Sequence, residues 1–157
     1  NHGRRPELVV GGVPVGKLYE APNPVAETLS PGQSEGSIII VIATDAPLDG
    51  RQLTRLAKRA ALGLARTGST ARHGSGDFML AFSTANIIPH YPKEPTYTLT
   101  HLADTHLNPM ITATVEATEE AILNALTMAT TVVGRDDHRM EAINLDRLKA
   151  LASGARP

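Results

Sequence analysis

The chain lacks several residue types, and each absence removes a class of function. It contains no cysteine, which excludes disulfides, cysteine-based zinc sites and thiol catalysis. It has no tryptophan and only 3% aromatic residues, too few to supply stacking platforms for bases or sugars. Charge of one sign is not in excess, because 15 lysines and arginines oppose 16 aspartates and glutamates. That balance excludes a strongly basic nucleic-acid-binding chain. The longest apolar run, residues 38–43, is far too short to span a membrane.

The residues that are present suit one folded domain. The chain has 157 residues, of which 41% are apolar and 20% charged, so a packed core is expected and wholesale disorder is not. It opens at Asn1 without a methionine or an apolar leader, which indicates a fragment or a processed chain with no visible secretory signal. Cytoplasmic and periplasmic locations both remain open.

Two patterns define the centre of the chain. The β-branched run at residues 37–44 predicts a central strand buried on both faces, because its apolar residues do not alternate with polar ones. Apolar residues three and four apart predict an amphipathic helix over residues 50–67, whose arginine-rich side favours a solvated face. Gly68 is available to end that helix in a left-handed conformation.

The remaining patterns alternate strand and helix. Phe78 begins a second predicted strand that ends at residue 85. A second long helix is predicted over residues 114–134, capped by Thr114 or Thr118, and a short one begins near Asn144. The glycine- and proline-rich residues 1–36 favour a surface linker with short edge strands at 8–10 and 13–16. This interleaving indicates a layered α/β fold.

Metal and phosphate sites find little support in the sequence. His101 and His106 are five residues apart with Asp104 between them, which is not the spacing of a helical zinc pair. The glycine-rich stretch 68–76 lacks a Gly-Lys-Ser/Thr ending and precedes a strand, so a phosphate-binding loop is rejected. We therefore expect no metal and no cofactor.

A serine at the start of the first strand offers a different chemistry. Ser37 follows Gly36 and would be held rigidly at the mouth of a buried strand. If the bond before Ser37 were cut, its α-amine would lie beside its own hydroxyl, and an amine with a pKa of about 7.7–8.0 can act as a base near neutral pH. A serine with an N-terminal amine is a known activated nucleophile. From residues alone, a simple strand-start serine is the alternative.

Several ordered motifs resemble the L-aminopeptidase/D-esterase family, which includes the β-peptidyl aminopeptidases. The resemblance runs over nearly the whole chain. It is carried by Asn-His-Gly-Arg-Arg at 1–5, Gly-Val-Pro-Val-Gly at 12–16, Gly-Ser-Ile-Ile-Ile-Val-Ile-Ala-Thr-Asp-Ala-Pro-Leu at 36–48, the helix segment 53–68, Gly-Ser-Gly-Asp-Phe-Met-Leu-Ala-Phe-Ser-Thr-Ala-Asn at 74–86, and Val-Glu-Ala-Thr-Glu-Glu-Ala-Ile-Leu-Asn-Ala-Leu at 115–126.

The resemblance implies a fold and a processing event. Family members have a four-layer α/β/β/α sandwich, similar to N-terminal-nucleophile hydrolases but with different strand connections. They are made as one precursor that cuts itself before the nucleophile into α and β subunits that stay together. Here the matching bond joins Gly36 to Ser37, so residues 1–36 would be the tail of the α subunit and residues 37–157 the β subunit. Members run longer on the α side.

The resemblance also implies roles for individual residues. Ser37 matches the nucleophile that attacks an amide or ester carbonyl and forms an acyl-enzyme. Ser75 and Asp77 match a serine–acid pair that relays and orients hydrogen bonds near the nucleophile. Alternation in an extended segment puts both on one side, although without the family match they could be turn formers. Asn1 resembles an asparagine of the oxyanion hole. Some members have glutamate where Asp77 stands.

The function implied is a self-processing serine aminopeptidase acting on the N-terminal residue of short peptides, amides or esters. Its expected partners are these small substrates, its own α subunit and further αβ units in a homo-oligomer, a tetramer by family resemblance, with no nucleic acid and no membrane. Two alternatives remain. An acyltransferase similar to ornithine acetyltransferases shares the general layering, though that group normally cuts before threonine, and a non-enzymatic domain could retain only the fold.

Overall fold

The computed structural model describes residues 3–19 and 36–154. Short 3-10 turns lie at Arg5–Glu7, Asp104–His106 and Arg135–Asp137. The regular elements, in chain order, are helix α1 (Val15–Leu18), strand β1 (Ile39–Thr44), helix α2 (Gly50–Arg66), strand β2 (Phe78–Ser83), helix α3 (Asn108–Thr127), strands β3 (Val132–Val133) and β4 (Arg139–Met140), and helix α4 (Leu145–Ala152).

Strands β1 and β2 form a parallel pair joined by helix α2. The register runs from Ile39 beside Phe78 to Thr44 beside Ser83. Parallel neighbours need a crossover between them, and a helix is its usual form. The pairing confirms both predicted strands and places their amino ends, with residues 37 and 76, at the same edge of the sheet.

Helix α2 begins at the predicted residue and ends one residue before its predicted end. Asp49 caps its N-terminus by accepting from the Gln52 main-chain N–H at 2.7 Å, and the Gln52 side chain accepts in return from the Asp49 N–H at 3.1 Å. This reciprocal capping satisfies two N–H groups that the helix itself leaves unpaired. Gly68, with φ of +102°, follows the C-cap residue Thr67 in the left-handed conformation expected of a glycine there.

Helix α2 packs on one face of the sheet, and helix α3 packs closely against α2. Ile40 of β1, Ala60 and Leu64 of α2 form the buried centre, and Ile38, Ile42, Met79 and Ile122 close around it. A Cβ at Gly63 would lie 2.4 Å from the Val115 carbonyl oxygen of α3, so a glycine lets the two helices approach there. Gly63 thus sets how closely α3 approaches α2.

The other face of the β1–β2 pair is uncovered among the described residues. Ile39 is 73% exposed, Phe78 is 68% exposed, and Val41, Leu80 and Phe82 also face outwards. The prediction that β1 is buried on both faces is therefore wrong for this part of the chain. Alternate side chains of a strand point to opposite faces, and here only the inward set with Ile40 and Ile42 meets helices.

The second long helix differs from its predicted bounds. It begins at Asn108, because Pro109 fits the first turn of a helix, where no main-chain N–H is needed. Thr114 and Thr118 are not caps but buried interior residues whose hydroxyls donate to the carbonyls of residues 110 and 114, at 2.8 and 2.7 Å. The helix ends at Thr127, seven residues before its predicted end.

The residues beyond α3 form a hairpin in place of a helix end. Strand β3 pairs with β4 in antiparallel fashion, and His138 N–H donates to the Arg135 carbonyl at 3.2 Å across the turn. Asp136 and Asp137 have φ of +55° and +57°, the sign that a type I′ hairpin turn requires at both central positions. Asparagine or aspartate followed by glycine is the usual signal for such a turn, and the second residue here is aspartate.

The N-terminal segment packs on α4 and does not form edge strands. Val10 and Val13 make an isolated bridge around the glycine turn 11–12, and residues 15–18, predicted in part as strand, form helix α1. Val15 packs against Leu148 and Leu151 of α4. Helix α4 begins next to Asn144, as predicted, and the Asn144 side chain caps it by accepting from the Arg147 N–H at 2.9 Å. None of the described helices combines the length and the hydropathy needed to cross a bilayer.

Candidate active site

The candidate site lies where β1 and β2 begin. The parallel register, continued backwards by two residues from Ile39 and Phe78, puts Ser37 beside Gly76. The Phe78 N–H donates to the Ile38 carbonyl at 3.0 Å, so the pairing reaches the edge of the site. Beyond it, the Gly76 N–H donates to Ser37 Oγ at 3.0 Å. The main chain of Gly76 thereby holds the Ser37 hydroxyl at the end of the sheet. Ser37 itself is exposed.

The structure brings Ser75 and Asp77 to the same place. Ser75 Oγ lies 2.6 Å from Asp77 Oδ1 and 3.1 Å from the Gly36 carbonyl oxygen. Both residues are half-buried, whereas Gly76 between them is exposed, as an extended segment with alternating sides requires. A hydroxyl carries one hydrogen, so Ser75 donates either to the Asp77 carboxylate or to the Gly36 carbonyl at any moment.

Gly36 has a conformation that favours glycine. Its φ is +85°, in the left-handed region that L side chains rarely adopt, and the residue is buried. With this φ, its carbonyl oxygen lies within hydrogen-bond distance of Ser75 Oγ. The residue before Ser37 is thus a glycine for a physical reason, and its carbonyl already contacts a hydroxyl group.

The loop that carries Ser75 is tied to the N-terminal segment. Arg72 forms an ion pair with Glu7, and the Val9 N–H donates to the Thr67 carbonyl at 3.1 Å. Gly68 lies so close to this segment that a Cβ there would overlap the Glu7 carbonyl oxygen. Residues before position 10 therefore help to hold the loop that approaches Ser37. Asn1, the residue predicted for the oxyanion hole, lies outside the described residues, and its role stays a prediction.

Asp104, which lies between His101 and His106 in the sequence, binds neighbouring side chains. The Asp104 carboxylate accepts two hydrogen bonds from the Arg51 guanidinium, at 2.8 and 2.9 Å, and one from Gln52 Nε2 at 2.8 Å. Hydrogen bonds from Arg51, which have the largest effect, and from Gln52 hold the pKa of the Asp104 carboxyl well below its usual range. The same pair raises the pKa of Arg51. Within residues 3–19 and 36–154, no three His, Asp or Glu side chains come close enough to hold a metal ion.

Sequence reasoning missed two features of this region. The Gly76 N–H was not anticipated as a donor, although two strands each preceded by a small polar segment are the signal that could have found it. The buried Gln52, which also donates to the Leu102 carbonyl at 2.7 Å, was not singled out. Together with Arg51 and Asp104, Gln52 links the start of α2 to the segment before α3. Arg51, on the arginine-rich face of α2, therefore contacts another segment of the chain.

Comparison with known proteins places these residues in a described family. The model of peptidase family S58 matches residues 1–140. Two curated relatives are β-peptidyl aminopeptidases BapA. That of Sphingosinicella xenopeptidilytica is 39% identical over 165 residues, which cover 100% of this chain and 41% of the relative. That of Sphingosinicella microcystinivorans is 38% identical, with 96% and 40% covered. The chain thus spans about two fifths of the length of these relatives.

Three solved structures share the fold. The PH0078 protein of Pyrococcus horikoshii OT3 is 47% identical with a TM-score of 0.83, over 98% of this chain and 40% of that one. The L-aminopeptidase D-Ala-esterase/amidase of Ochrobactrum anthropi is 37% identical with a TM-score of 0.85, over 98% of this chain and 41% of that one. It is described as a prototype of the serine aminopeptidases and as a new variant of the Ntn hydrolase fold. A Burkholderia sp. β-aminopeptidase is 38% identical with a TM-score of 0.80, over 100% and 43%. The fold expected from the sequence, a variant of the Ntn hydrolase type, is confirmed.

Proposed function

Because the chain belongs to peptidase family S58, we propose that it forms part of a self-processing serine aminopeptidase whose nucleophile is Ser37. One arrangement carries the proposal. The Ser37 hydroxyl directly follows Gly36 and accepts a hydrogen bond from Gly76, while Ser75 Oγ lies 3.1 Å from the Gly36 carbonyl oxygen. A nucleophile, the carbonyl it would attack and a hydroxyl within hydrogen-bond distance of this carbonyl therefore lie together.

Self-cleavage is the first step. Ser37 Oγ attacks the carbonyl carbon of Gly36, the Gly36–Ser37 C–N bond breaks, and the Ser37 nitrogen gains the proton that the hydroxyl loses. Ser75, when it donates to the Gly36 oxygen, stabilises the negative charge that develops there. Water then hydrolyses the Gly36–Ser37 ester, releasing a carboxylate at Gly36 and restoring the hydroxyl. The product is a chain that begins with the nucleophile itself.

Turnover reuses the same hydroxyl with a new base. The freed α-amine of Ser37, with a typical pKa of about 7.7–8.0, is neutral in a substantial fraction of molecules near neutral pH. It takes the hydroxyl proton as Oγ attacks the substrate carbonyl, and returns a proton to the leaving amine or alkoxide. Water hydrolyses the acyl-enzyme, which releases the N-terminal residue of the substrate as an acid. No metal or cofactor is required.

The residues near Ser37 orient a hydroxyl group and stabilise the charge that develops during the reaction. Asp77 holds the Ser75 hydroxyl at 2.6 Å, and this pair keeps one hydroxyl beside the site of charge development. Asn1 is assigned to the oxyanion hole by family resemblance, where an N–H donor contributes about 3–4 kcal/mol to transition-state stabilisation. We propose that the substrates are short peptides, amides and esters.

The cut defines the two subunits of the proposed enzyme. Residues 1–36 form the end of the α subunit and residues 37–157 belong to the β subunit. The Arg72–Glu7 ion pair and the Val9–Thr67 hydrogen bond then cross between the subunits and help to keep them together after the cut. We further propose that αβ units assemble into a homo-oligomer.

The substitution Ser37→Ala in the full-length protein tests this function. The unchanged protein should give two pieces whose intact masses place the break between residues 36 and 37. Ser37→Ala should remain one chain and should not hydrolyse aminoacyl p-nitroanilides. Ser153→Ala is the matched control, because its hydroxyl makes one exposed hydrogen bond to residue 150 after helix α4.

Two outcomes would contradict the proposal. The self-cleavage mechanism is wrong if the Ser37→Ala chain is still cut after Gly36. If the unchanged enzyme transfers its acyl group only to an added amine and not to water, the acyltransferase alternative replaces the aminopeptidase.

A further inference from the structure

We propose that Gly76 is a further residue of the active site, acting through its main-chain N–H and through the space that its missing side chain leaves. The N–H holds the Ser37 oxygen, and the open space gives a carbonyl group access to that oxygen. This inference rests on the proposed function, because it concerns how Ser37 acts as a nucleophile.

The first part of the argument is the hydrogen bond. The Gly76 N–H donates to Ser37 Oγ at 3.0 Å. Its direction is set by main chain on both sides, since the Ser75 N–H donates to the Arg72 carbonyl at 2.9 Å and the Phe78 N–H to the Ile38 carbonyl at 3.0 Å. A side-chain donor could rotate away, whereas this N–H cannot move without disturbing the strand pair.

An N–H donor at this oxygen affects each chemical step. While Oγ accepts from Gly76, its own hydrogen is left to point towards the α-amine that removes it. As that proton leaves, negative charge grows on Oγ and the hydrogen bond strengthens, because bonds to charged acceptors are about twice as strong as neutral ones. When the acyl-enzyme breaks down, the acyl C–Oγ bond breaks and Oγ takes the electron pair, so the same N–H stabilises the leaving oxygen before the amine returns its proton.

The second part of the argument is the space beside the oxygen. A Cβ built at Gly76 would lie 3.4 Å from Ser37 Oγ and 4.0 Å from Cε2 of Phe78. The φ of Gly76 lies outside the left-handed region, so its backbone conformation does not demand a glycine. A Cβ here would touch the oxygen at van der Waals distance, so the glycine leaves open the space beside the nucleophile. A side chain would stand over the oxygen that a carbonyl carbon must reach.

Gly76→Ala in the full-length protein tests the space, and Gly74→Ala is the matched control. Both glycines belong to one loop and neither has a positive φ, but a Cβ at Gly74 would meet nothing within 4 Å. We expect Gly76→Ala to slow self-cleavage and to lower kcat about 10-fold or more, as small displacements of reacting groups do. Gly74→Ala should change neither rate by more than about 2-fold.

Replacing the Gly76 amide by an ester, through incorporation of glycolic acid at position 76, tests the hydrogen bond without adding a side chain. Loss of one donor to a charged oxygen should lower kcat about 10- to 100-fold with KM little changed. That split is expected of a donor acting on the reacting atom and not of a looser fold. The urea midpoint of each variant, measured alongside, reports on folding.

The outcomes separate this inference from the function on which it rests. If Gly76→Ala and the ester variant cut themselves and turn over like Gly74→Ala, while Ser37→Ala does neither, the inference is wrong and the proposed function stands. If Ser37→Ala still cuts itself, the proposed function fails first. If the ester variant loses activity only through a raised KM, the N–H binds substrate and the proposed contact with the Ser37 oxygen is not its role.

Discussion

Replacing Gly63 by alanine should push helices α2 and α3 apart. A Cβ at this position would lie 2.4 Å from the Val115 carbonyl oxygen and 2.7 Å from Thr118 Cβ. Ordinary carbon–oxygen contacts are about 3.3–3.6 Å, so the helices must separate by about 1 Å. The obstructing oxygen belongs to the main chain of α3 and cannot swing aside as a flexible side chain would. Helix α3 must therefore move, or the core beneath it must loosen.

The size of the effect follows from two opposing contributions. Overpacking of a tight core costs about 1–3 kcal/mol, and a contact with main chain belongs in the upper part of that range. Alanine is favoured over glycine inside a helix by about 1 kcal/mol, which offsets part of the loss. We expect Gly63→Ala to lower the free energy of unfolding by about 1–2 kcal/mol.

Urea unfolding of the full-length protein measures this difference, with Gly50→Ala as the control on the same helix. A Cβ at Gly50 would meet nothing within 4 Å, so this variant should match or exceed the unchanged protein in stability. If Gly63→Ala proves as stable as Gly50→Ala, the close approach of α2 and α3 at this glycine is not a constraint on the packing, and the reasoning fails.

Two other predictions concern the cleavage position and the response to acid. Gly36→Ala places a side chain at φ of +85°, at a cost of about 1–2 kcal/mol, and should slow self-cleavage about 5- to 30-fold; a mass-spectrometric time course at the rate of the unchanged protein would contradict this. Asp104 has its pKa held low in the folded state, chiefly by Arg51, so its contribution to stability is present above pH about 4 and is lost as the pH falls below that value. The urea midpoint should therefore drop between about pH 5 and pH 3 in the unchanged protein and drop less in Asp104→Asn, and equal slopes would argue against the Asp104–Arg51 contact.

Local signals in the sequence were sufficient for the elements that depend on nearby residues. The spacing of apolar residues in α2, the glycine after its end and the start of α4 near Asn144 all depend on a few neighbouring positions. Helix α3 begins six residues before its predicted start, because Pro109 lies in its first turn and Thr114, predicted as a cap, is an interior residue. The hairpin after α3 was missed because its pairing joins residues 132–133 to 139–140 through a turn with two aspartates at positive φ.

The candidate site shows the same division. Resemblance singled out Ser37, Ser75 and Asp77, and alternation predicted that the last two share a side. Neither could show that Ser75 contacts the Gly36 carbonyl, since these residues are 39 positions apart and meet only through the β1–β2 register. The hydrogen bond from the Gly76 N–H to Ser37 Oγ also depends on the β1–β2 register, so the sequence alone could not show it.

The sequence by itself determined the order of β1, α2, β2, α3 and α4 and the bounds of α2 to within one residue, because these depend on residue type and short-range spacing. Its ordered motifs also indicated the family, by resemblance. The tertiary structure alone decided which face of β1 is covered, how closely Gly63 lets α3 approach, and which groups surround Ser37. These features arise where segments distant in the chain come into contact. A parallel pair joined by a helix brings positions 37 and 76 together only after the crossover has folded, so no local pattern records their meeting.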